Sequence, residues 1–274
     1  MKFKYLIIAF SALIIFIILI TALMPMILSG PEYLVNFRFL TLPLLIFMVL
    51  LLVGMGIFFF YNYRLLSLLE REDWPALAYY LEQKIFVKGK YSNRNVRLLA
   101  SSYLVISDYL SVLKLENKAV LANPPVVDNN VLVFGTARVL SRNHAEAAAF
   151  FKLHLDNGKL KTKDKNWARW YFGFSLLLSG AFKLAQPEFE SLAVNSKDAL
   201  ITGLSSYFLY NSISGHSDNS AECLAAAESG RIRVTNKVKN RHGWKKEVEK
   251  NGSDIHIAII KKYIEETGQW LFND

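Results

Sequence analysis

The chain has 274 residues, 53% of them hydrophobic, and carries a formal net charge of +9. This length allows one large domain or two small ones, and the hydrophobic fraction is high for a protein without membrane segments. The single cysteine excludes an internal disulfide framework, so nothing in the sequence requires an oxidising compartment.

Two segments near the N-terminus, residues 5–31 and 39–63, contain no charged residue. Each is longer than the ~20 residues that an α-helix needs to cross a bilayer. We expect a transmembrane hairpin over residues 1–62, with helices at about 5–28 and 39–62. The alternative for the first segment is a cleaved signal peptide, but the apolar run is too long for a typical signal core and no small-residue cleavage site follows it.

Basic residues flank the outer ends of the predicted hairpin. Lys2 and Lys4 precede the first segment, Arg64 and Arg71 follow the second, and the connection holds Arg38 together with one acidic residue. Basic residues near the ends of membrane helices favour the cytoplasmic side. The sequence therefore predicts an integral membrane protein with both termini and the C-terminal domain in the cytoplasm.

Beyond residue 62, apolar residues recur at helical spacing, and no long stretch alternates as a strand does. We expect a helical repeat domain over residues 63–251 and a C-terminal capping helix over 252–274. Asn or Asp at the N-cap is a common helix start. Five helix pairs with a period in the mid-thirties are expected to begin near Asn62, Asn93, Asp128, Asp164 and Asp198.

Two phrases share one frame: FGTARVLSRNHAEAAAFF at 134–151 and FGFSLLLSGAFKLAQPEF at 172–189. The frame consists of Gly135, Ala147 and Phe151 in the first phrase, and equivalent residues at equal spacing in the second. With a helical-hairpin period of ~34 residues, it resembles the tetratricopeptide repeat family. Small residues allow two helices to approach closely, and the phenylalanine fills the space beside their crossing. An unrelated helical bundle is the alternative.

The resemblance covers about residues 65–228 and implies a right-handed solenoid of helix pairs. Together with the predicted hairpin, the expected fold is all-α, with two transmembrane helices followed by this solenoid. Such arrays usually bind proteins in a groove lined by the first helix of each pair. A basic end beside an aromatic end would suit an acidic or carboxylate-terminated peptide with an apolar anchor. Alternatively, the tryptophans pack between repeats and the arginines are solvated. The expected groove residues are Arg94, Arg97, Ser101, Asn129, Leu132, Thr136, Trp167, Trp170 and Phe174.

The loops between the predicted pairs are basic. If they form the edge that begins beside the second membrane helix, anionic lipid would attract them by ~1 kcal/mol per residue. The alternative is a set of solvated loops. Nucleic acid is not an expected partner, because the basic run at 231–246 has no recognisable nucleic-acid-binding fold around it. The expected membrane-facing residues are Lys88, Lys90, Lys159, Lys161, Lys163, Lys165, Arg231 and Arg233.

Catalytic and metal-binding motifs are missing from the sequence. There is no phosphate-binding glycine loop or serine elbow, and the five histidines are not paired with cysteine or acidic residues at metal-ligand spacing. We predict no cofactor, no metal site and no enzymatic activity. The expected function is a membrane-tethered scaffold or adaptor that binds a protein partner at the cytoplasmic face. The alternative is a structural subunit of a secretion, motor or transport complex that packs through its hairpin.

Overall fold

A computed structural model describes residues 2–29, 38–252 and 254–272. Every regular element in these ranges is helical and none is a strand, so the predicted all-α class is confirmed. The chain divides into two compact units, residues 1–80 and 81–274.

The first unit contains α1 (Lys2–Ser29) and α2 (Arg38–Glu70), which contact each other, and the start of α3 (Trp74–Glu82). In the part of the chain that the structure describes, one helix is long and apolar enough to cross a membrane. The qualifying stretch is Leu42–Glu70 within α2, which has a mean hydropathy of 2.8 and none of its most apolar window buried. Within α1, Ile8–Thr21 is a shorter apolar stretch.

The predicted boundary between the membrane hairpin and the repeat domain, at 62/63, falls inside α2. This helix continues without a break to Glu70, so the first helix of the first predicted pair is the end of α2. The connection at residues 30–37 lies outside the described residues, as do the side chains of Lys2 and Lys4.

The second unit follows the predicted alternation of helix pairs. A π-helical turn at Gln83–Val87 extends α3, and π-helical and 3-10 turns at Leu209–His216 extend α11. The helices are α4 (Asn93–Val105), α5 (Tyr109–Ala122), α6 (Pro124–Asp128), α7 (Val131–Leu140), α8 (His144–Asp156), α9 (Thr162–Leu178), α10 (Phe182–Asn195), α11 (Ala199–Phe208), α12 (Ser220–Val238), α13 (Arg241–Asn251), α14 (Ile255–Ile259) and α15 (Lys261–Phe272).

The turn inside a pair has the same backbone geometry in four successive pairs. One residue adopts a positive φ between +54° and +78°, and the next N–H donates to the carbonyl five residues earlier, at 2.8–3.3 Å. This arrangement is the Schellman motif, in which a left-handed residue closes the end of a helix. The regular recurrence supports one repeated unit. The four left-handed residues are Glu72, Ser107, Arg142 and Gly180.

Acidic or amide side chains begin three of the second helices. Oδ1 of Asp73, Asp108 and Asn143 accepts from the N–H three residues later, at 3.1–3.4 Å. Of the N-caps predicted for first helices, Asp198 accepts from two N–H groups at 2.9 and 3.4 Å. For α4 the cap is Ser92 rather than Asn93. Side-chain caps therefore occur at three of the turns inside pairs and also at the start of two first helices.

The shared frame lies where the two helices of a pair meet. A Cβ built on Gly135 would be 2.1 Å from Cζ of Phe151, so this ring lies directly on the glycine backbone. The contact in the next pair is looser, because a Cβ on Gly173 would be 3.4 Å from Cζ of Phe189. The two alanines of the frame, Ala147 and Ala185, are fully buried. Small residues thus allow the close approach that the sequence predicted.

The two glycines give a matched test of this packing. Gly135→Ala is expected to lower the free energy of unfolding by about 1–3 kcal/mol, because its methyl group overlaps the Phe151 ring. Gly173→Ala should stay within about 1 kcal/mol of wild type, since alanine favours the helix and its nearest neighbour is 3.3 Å away. Denaturant unfolding of both variants measures the difference. Equal effects would contradict the close contact at Gly135.

Candidate functional site

The C-terminal segment, residues 254–272, lies along the first helices of four pairs. Arg97 of α4 donates to Asp254 at 2.6 Å, and the hydroxyl of Tyr171 of α9 donates to the carbonyl of His256 at 2.8 Å. In addition, α14 contacts α7 and α15 contacts α11. The surface formed by α4, α7, α9 and α11 is termed the wall. The groove expected on the first helices is therefore covered by the chain's own terminus.

The basic end of the wall holds an acidic residue of the segment. The Asp254 carboxylate lies 2.6 Å from Nη2 of Arg97 and 3.6 Å from Nζ of Lys163. The side chains of Arg97 and Asp254 are 51% and 21% exposed. Solvent screens pairs at such positions to about 0–1 kcal/mol. These ion pairs therefore add little to the stability of the segment.

Aromatic rings form the middle of the wall. Trp167 is fully buried, and its ring centroid lies 5.2 Å from that of His256 in an edge-to-face arrangement. The Tyr263 ring packs against both Phe174 at 5.4 Å and Phe208 at 5.3 Å, and these two rings lie 5.4 Å from each other. Aromatic pairs at these distances contribute about 0.5–1.5 kcal/mol beyond the area that they bury. The aromatic contacts therefore contribute more to holding the segment than the ion pairs do.

The far end of the wall contacts the last turns of α15. The hydroxyl of Tyr207 donates to Glu266 at 3.2 Å. The ring of Trp270 lies 5.5 Å from that of Tyr210, and the Arg231 guanidinium is 5.3 Å from the centroid of the same indole. The segment is thus held along its whole length.

One face of the segment is apolar and the opposite face is charged. The buried face consists of Ile257, Ile260, Ile264 and Leu271, which are each 2% exposed. The charged face includes Lys261, Lys262 and Glu265 and is open to solvent. This amphipathic pattern is how a helix binds in a groove.

Three of the nine predicted groove residues, Arg97, Trp167 and Phe174, contact the segment. Arg97 also lines a cavity of about 40 Å³ together with Asn129 and Leu132. Arg94 is exposed, Ser101 is half-buried and Thr136 is fully buried, with its hydroxyl donating to the carbonyl of Leu132 at 2.6 Å.

The structure places Trp170 away from the groove. Its side chain is fully buried, stacks on Phe174, and contacts Phe189 of α10 and Phe208 of α11. It therefore packs between helix pairs, as the alternative interpretation of the tryptophans described. Tyr171, which follows Trp167 by four residues, occupies the wall instead. Residues four apart share a helix face, so this spacing could have identified Tyr171 from the sequence.

The C-terminal segment was expected to be one capping helix. It consists instead of two helices, α14 and α15, which meet at Ile260. The expected groove included no residue of α11 and therefore missed Tyr207 and Phe208. Their signal in the sequence was weak, because the fifth pair has only a degenerate form of the glycine and alanine frame.

The predicted basic edge has mixed roles in the structure. Arg233 donates to the carbonyls of Ala193, Val194 and Ser196, which lie at the C-terminal end of α10. Carbonyls at a helix end lack partners within the helix, and a guanidinium satisfies several of them together. Arg231 lies against Trp270. These two arginines therefore have structural contacts within the second unit.

The lysines of the predicted edge are exposed, and two of them form ion pairs within the unit. Lys159 lies 3.4 Å from Asp128, and Lys163 lies 3.6 Å from Asp254. The other four are Lys88, Lys90, Lys161 and Lys165. Partial burial, with the positive charges of Lys90, Arg94 and Lys88, lowers the pKa of the nearby Lys84. The loop around Lys88 and Lys90 is thus a concentrated positive surface.

Burial of His256 makes the segment sensitive to pH. Desolvation lowers the pKa of His256 to about 4, with Arg97 and Lys163 acting in the same direction and Asp254 against them. Because this pKa lies below that of an unfolded histidine, about 6.5, the stabilisation is complete above pH 6.5 and declines as pH falls towards 4. We expect a loss of about 3 kcal/mol across this range.

Unfolding measured between pH 7 and pH 4 tests this expectation. His256→Gln should reduce the loss and leave the part that comes from His154, whose pKa is also lowered by burial. A replacement at the exposed His242, His242→Gln, should leave the profile unchanged. A wild-type profile that His256→Gln does not alter would contradict the assignment.

Among the described residues, no group of three His, Cys, Asp or Glu side chains is placed to hold a metal ion. Cys223 is buried, and desolvation raises its pKa to about 11. A thiol with such a pKa is a poor nucleophile at neutral pH.

Comparison with known proteins gives the family. Residues 111–273 match the family described as "Uncharacterised Treponema protein". The chain belongs to this family. A relative from Treponema pallidum (strain Nichols), described as "Uncharacterized protein", is 25% identical over 235 residues, which cover 83% of this chain and 74% of the relative. No solved structure matches the chain. The family match spans the wall from α7 onwards and the whole C-terminal segment.

Proposed function

We propose that this Treponema family member is a membrane-tethered scaffold whose helix pairs form a tetratricopeptide-like solenoid and bind a protein partner at the wall. The observation that carries the proposal is the C-terminal segment itself. The wall holds an amphipathic helical segment through contacts from four first helices. Arg97 forms an ion pair with the segment, Phe174 forms an aromatic contact, and the Tyr171 hydroxyl donates to a backbone carbonyl of the segment. The same chemistry suits a helix from another protein.

The repeated turn supports the solenoid. Successive left-handed residues are 35 residues apart from Glu72 to Ser107 and from Ser107 to Arg142, and 38 apart from Arg142 to Gly180. Helix pairs at a nearly constant period bury their apolar faces by stacking on their neighbours. A solenoid offers its first helices as one continuous surface, as the wall requires.

The exposed apolar helix supports the membrane tether. The window within Leu42–Glu70 has no buried residue, so within its own unit it lacks the cover that a soluble core helix has. We infer that α1 and α2 form a membrane hairpin, with both termini and the second unit in the cytoplasm. Anionic lipid would attract the exposed lysines near Lys88 and Lys90. Sodium carbonate extraction tests the tether, because a chain recovered in the supernatant would refute it.

An introduced cysteine makes the orientation of the second unit measurable. Cys223 is buried, so it should react slowly with a membrane-impermeant maleimide. Leu121→Cys introduces a thiol at a position that is 88% exposed. A cytoplasmic second unit predicts labelling after the cells are opened and none in intact cells. Labelling in intact cells would place the unit outside.

Site-specific photo-cross-linking tests partner binding at the wall. A photoreactive amino acid replaces Asn129, which is exposed beside Arg97, in the full chain in native membranes. The control position is Leu121, which is exposed on the second helix of its pair. We expect a discrete protein adduct from position 129 and none from 121. The same adducts from both positions, or none from either, would contradict the proposed function.

A further inference from the structure

The wall recognises features that a separate protein segment can also carry. Tyr171 donates to a backbone carbonyl, which every peptide has. Arg97 and Lys163 pair with a carboxylate, and the adjacent rings of Phe174 and Phe208 together contact an aromatic ring. None of these contacts depends on the segment belonging to the same chain.

The C-terminal segment satisfies the wall incompletely. Nε1 of Trp167 and Nε2 of His256 are buried, and neither has a hydrogen-bond partner among the described residues. A buried polar atom without a partner loses its hydration and gains nothing in return. A ligand that placed an oxygen acceptor beside Trp167 would satisfy this N–H, which the terminal segment leaves without a partner.

The wall helices are held by contacts other than those with the segment. Each wall helix packs on the second helix of its own pair. On its other flank, α15 borders an open cleft of about 680 Å³, which lies between α13 and α15. The floor of this cleft includes Trp244 and Ile264. The segment is thus supported by the wall on one side and by Trp244 of α13 on the other, where the rest of α15 borders the cleft.

We propose that the wall is an exchangeable peptide site whose resident ligand is residues 254–272. A protein partner displaces this segment with an amphipathic helix that carries an acidic residue about nine positions before an aromatic one, as Asp254 precedes Tyr263. This inference rests on the proposed function. The segment then sets a threshold for the affinity of a partner, because the partner competes with a ligand that is tethered to the wall at a high effective concentration.

Peptide exchange on the full chain tests the proposal. The probe is a fluorescent peptide with the sequence of residues 254–272, added to the detergent-solubilised protein. Asp254→Lys in the chain places a positive charge beside Arg97 and Lys163 and weakens the resident segment. The labelled wild-type peptide should bind this variant about tenfold more tightly than it binds the wild-type chain. A peptide with Asp254→Lys is the matched control and should bind the variant chain more weakly than the wild-type peptide does.

Equal binding of the peptide to both chains would show that the segment does not control the site. Binding to neither would show that the wall does not accept a ligand from outside. Hydrogen exchange on the wild-type chain gives a second readout that does not depend on a variant. The amides of α15 should exchange faster than those of α9, because the segment opens separately. Equal protection of α15 and α9 would make the segment a permanent part of the fold and overturn the proposal.

The two proposals fail in different ways. Partner adducts at position 129 without peptide exchange would refute the displacement and leave the scaffold function intact. Exchange without partner adducts would refute the scaffold function and leave the wall as a site for the chain's own terminus.

Discussion

Phe151→Ala is expected to lower the free energy of unfolding by about 3–5 kcal/mol. The ring is fully buried, lies on the backbone of Gly135 and stacks on Tyr171 with centroids 5.5 Å apart. It therefore joins α7, α8 and α9, which belong to two successive pairs. Truncation removes these contacts and leaves a cavity at a position where the glycine backbone cannot fill the space. Chemical denaturation followed by tryptophan fluorescence measures the loss.

Leu153→Ala is the matched control on the same helix. Leu153 lies two residues beyond Phe151 and is 59% exposed, so its replacement should change stability by less than about 0.5 kcal/mol. If both variants lose the same small amount, Phe151 does not join neighbouring pairs, and the repeat packing described above is incorrect.

Trp244→Ala is expected to cost about 3–5 kcal/mol as well. The indole of α13 lies against two glycines: a Cβ on Gly203 of α11 would be 2.9 Å from it, and one on Gly268 of α15 would be 2.8 Å away. Its N–H also donates to the carbonyl of Ile264 at 3.3 Å. This side chain therefore fastens α15 to the wall.

Loss of Trp244 should affect the C-terminal segment before the rest of the unit. Hydrogen exchange is expected to rise in residues 261–272 more than in α9, while His242→Ala, two residues earlier and exposed, should change neither. A uniform rise across the second unit would show that Trp244 stabilises the whole fold and has no special connection to the segment.

The regular part of this fold could be predicted from the sequence. Gly135 and Phe151 recur as Gly173 and Phe189 at equal spacing, and their contacts are the close helix crossings that this spacing predicted. Patterns of this kind reflect packing between the two helices of one pair, so they are visible in a short stretch of sequence. The helix pairs, their period and the positions of the turns could therefore be predicted from these patterns.

The wall was predictable only in part, because its ligand comes from the far end of the chain. Arg97 was expected to bind a carboxylate of a protein partner, and in the structure it pairs with Asp254, which is 157 residues away in the same chain. Trp170 was predicted to line the groove. Its position on α9 lies beside the wall residues, but its side chain packs against the next pair. Both outcomes depend on long-range packing, which periodicity along one helix does not report.

A zero-length cross-link measures the position of the C-terminal segment most directly. Carbodiimide joins a lysine to a carboxylate that it contacts, and Lys163 lies 3.6 Å from Asp254. We predict an isopeptide between these residues within one chain in native membranes, which mass spectrometry would identify and Asp254→Asn would abolish. The Lys159 to Asp128 pair, at 3.4 Å, is the internal positive control. Formation of the control link without a link from Lys163 to Asp254 would contradict the position of the segment on the wall.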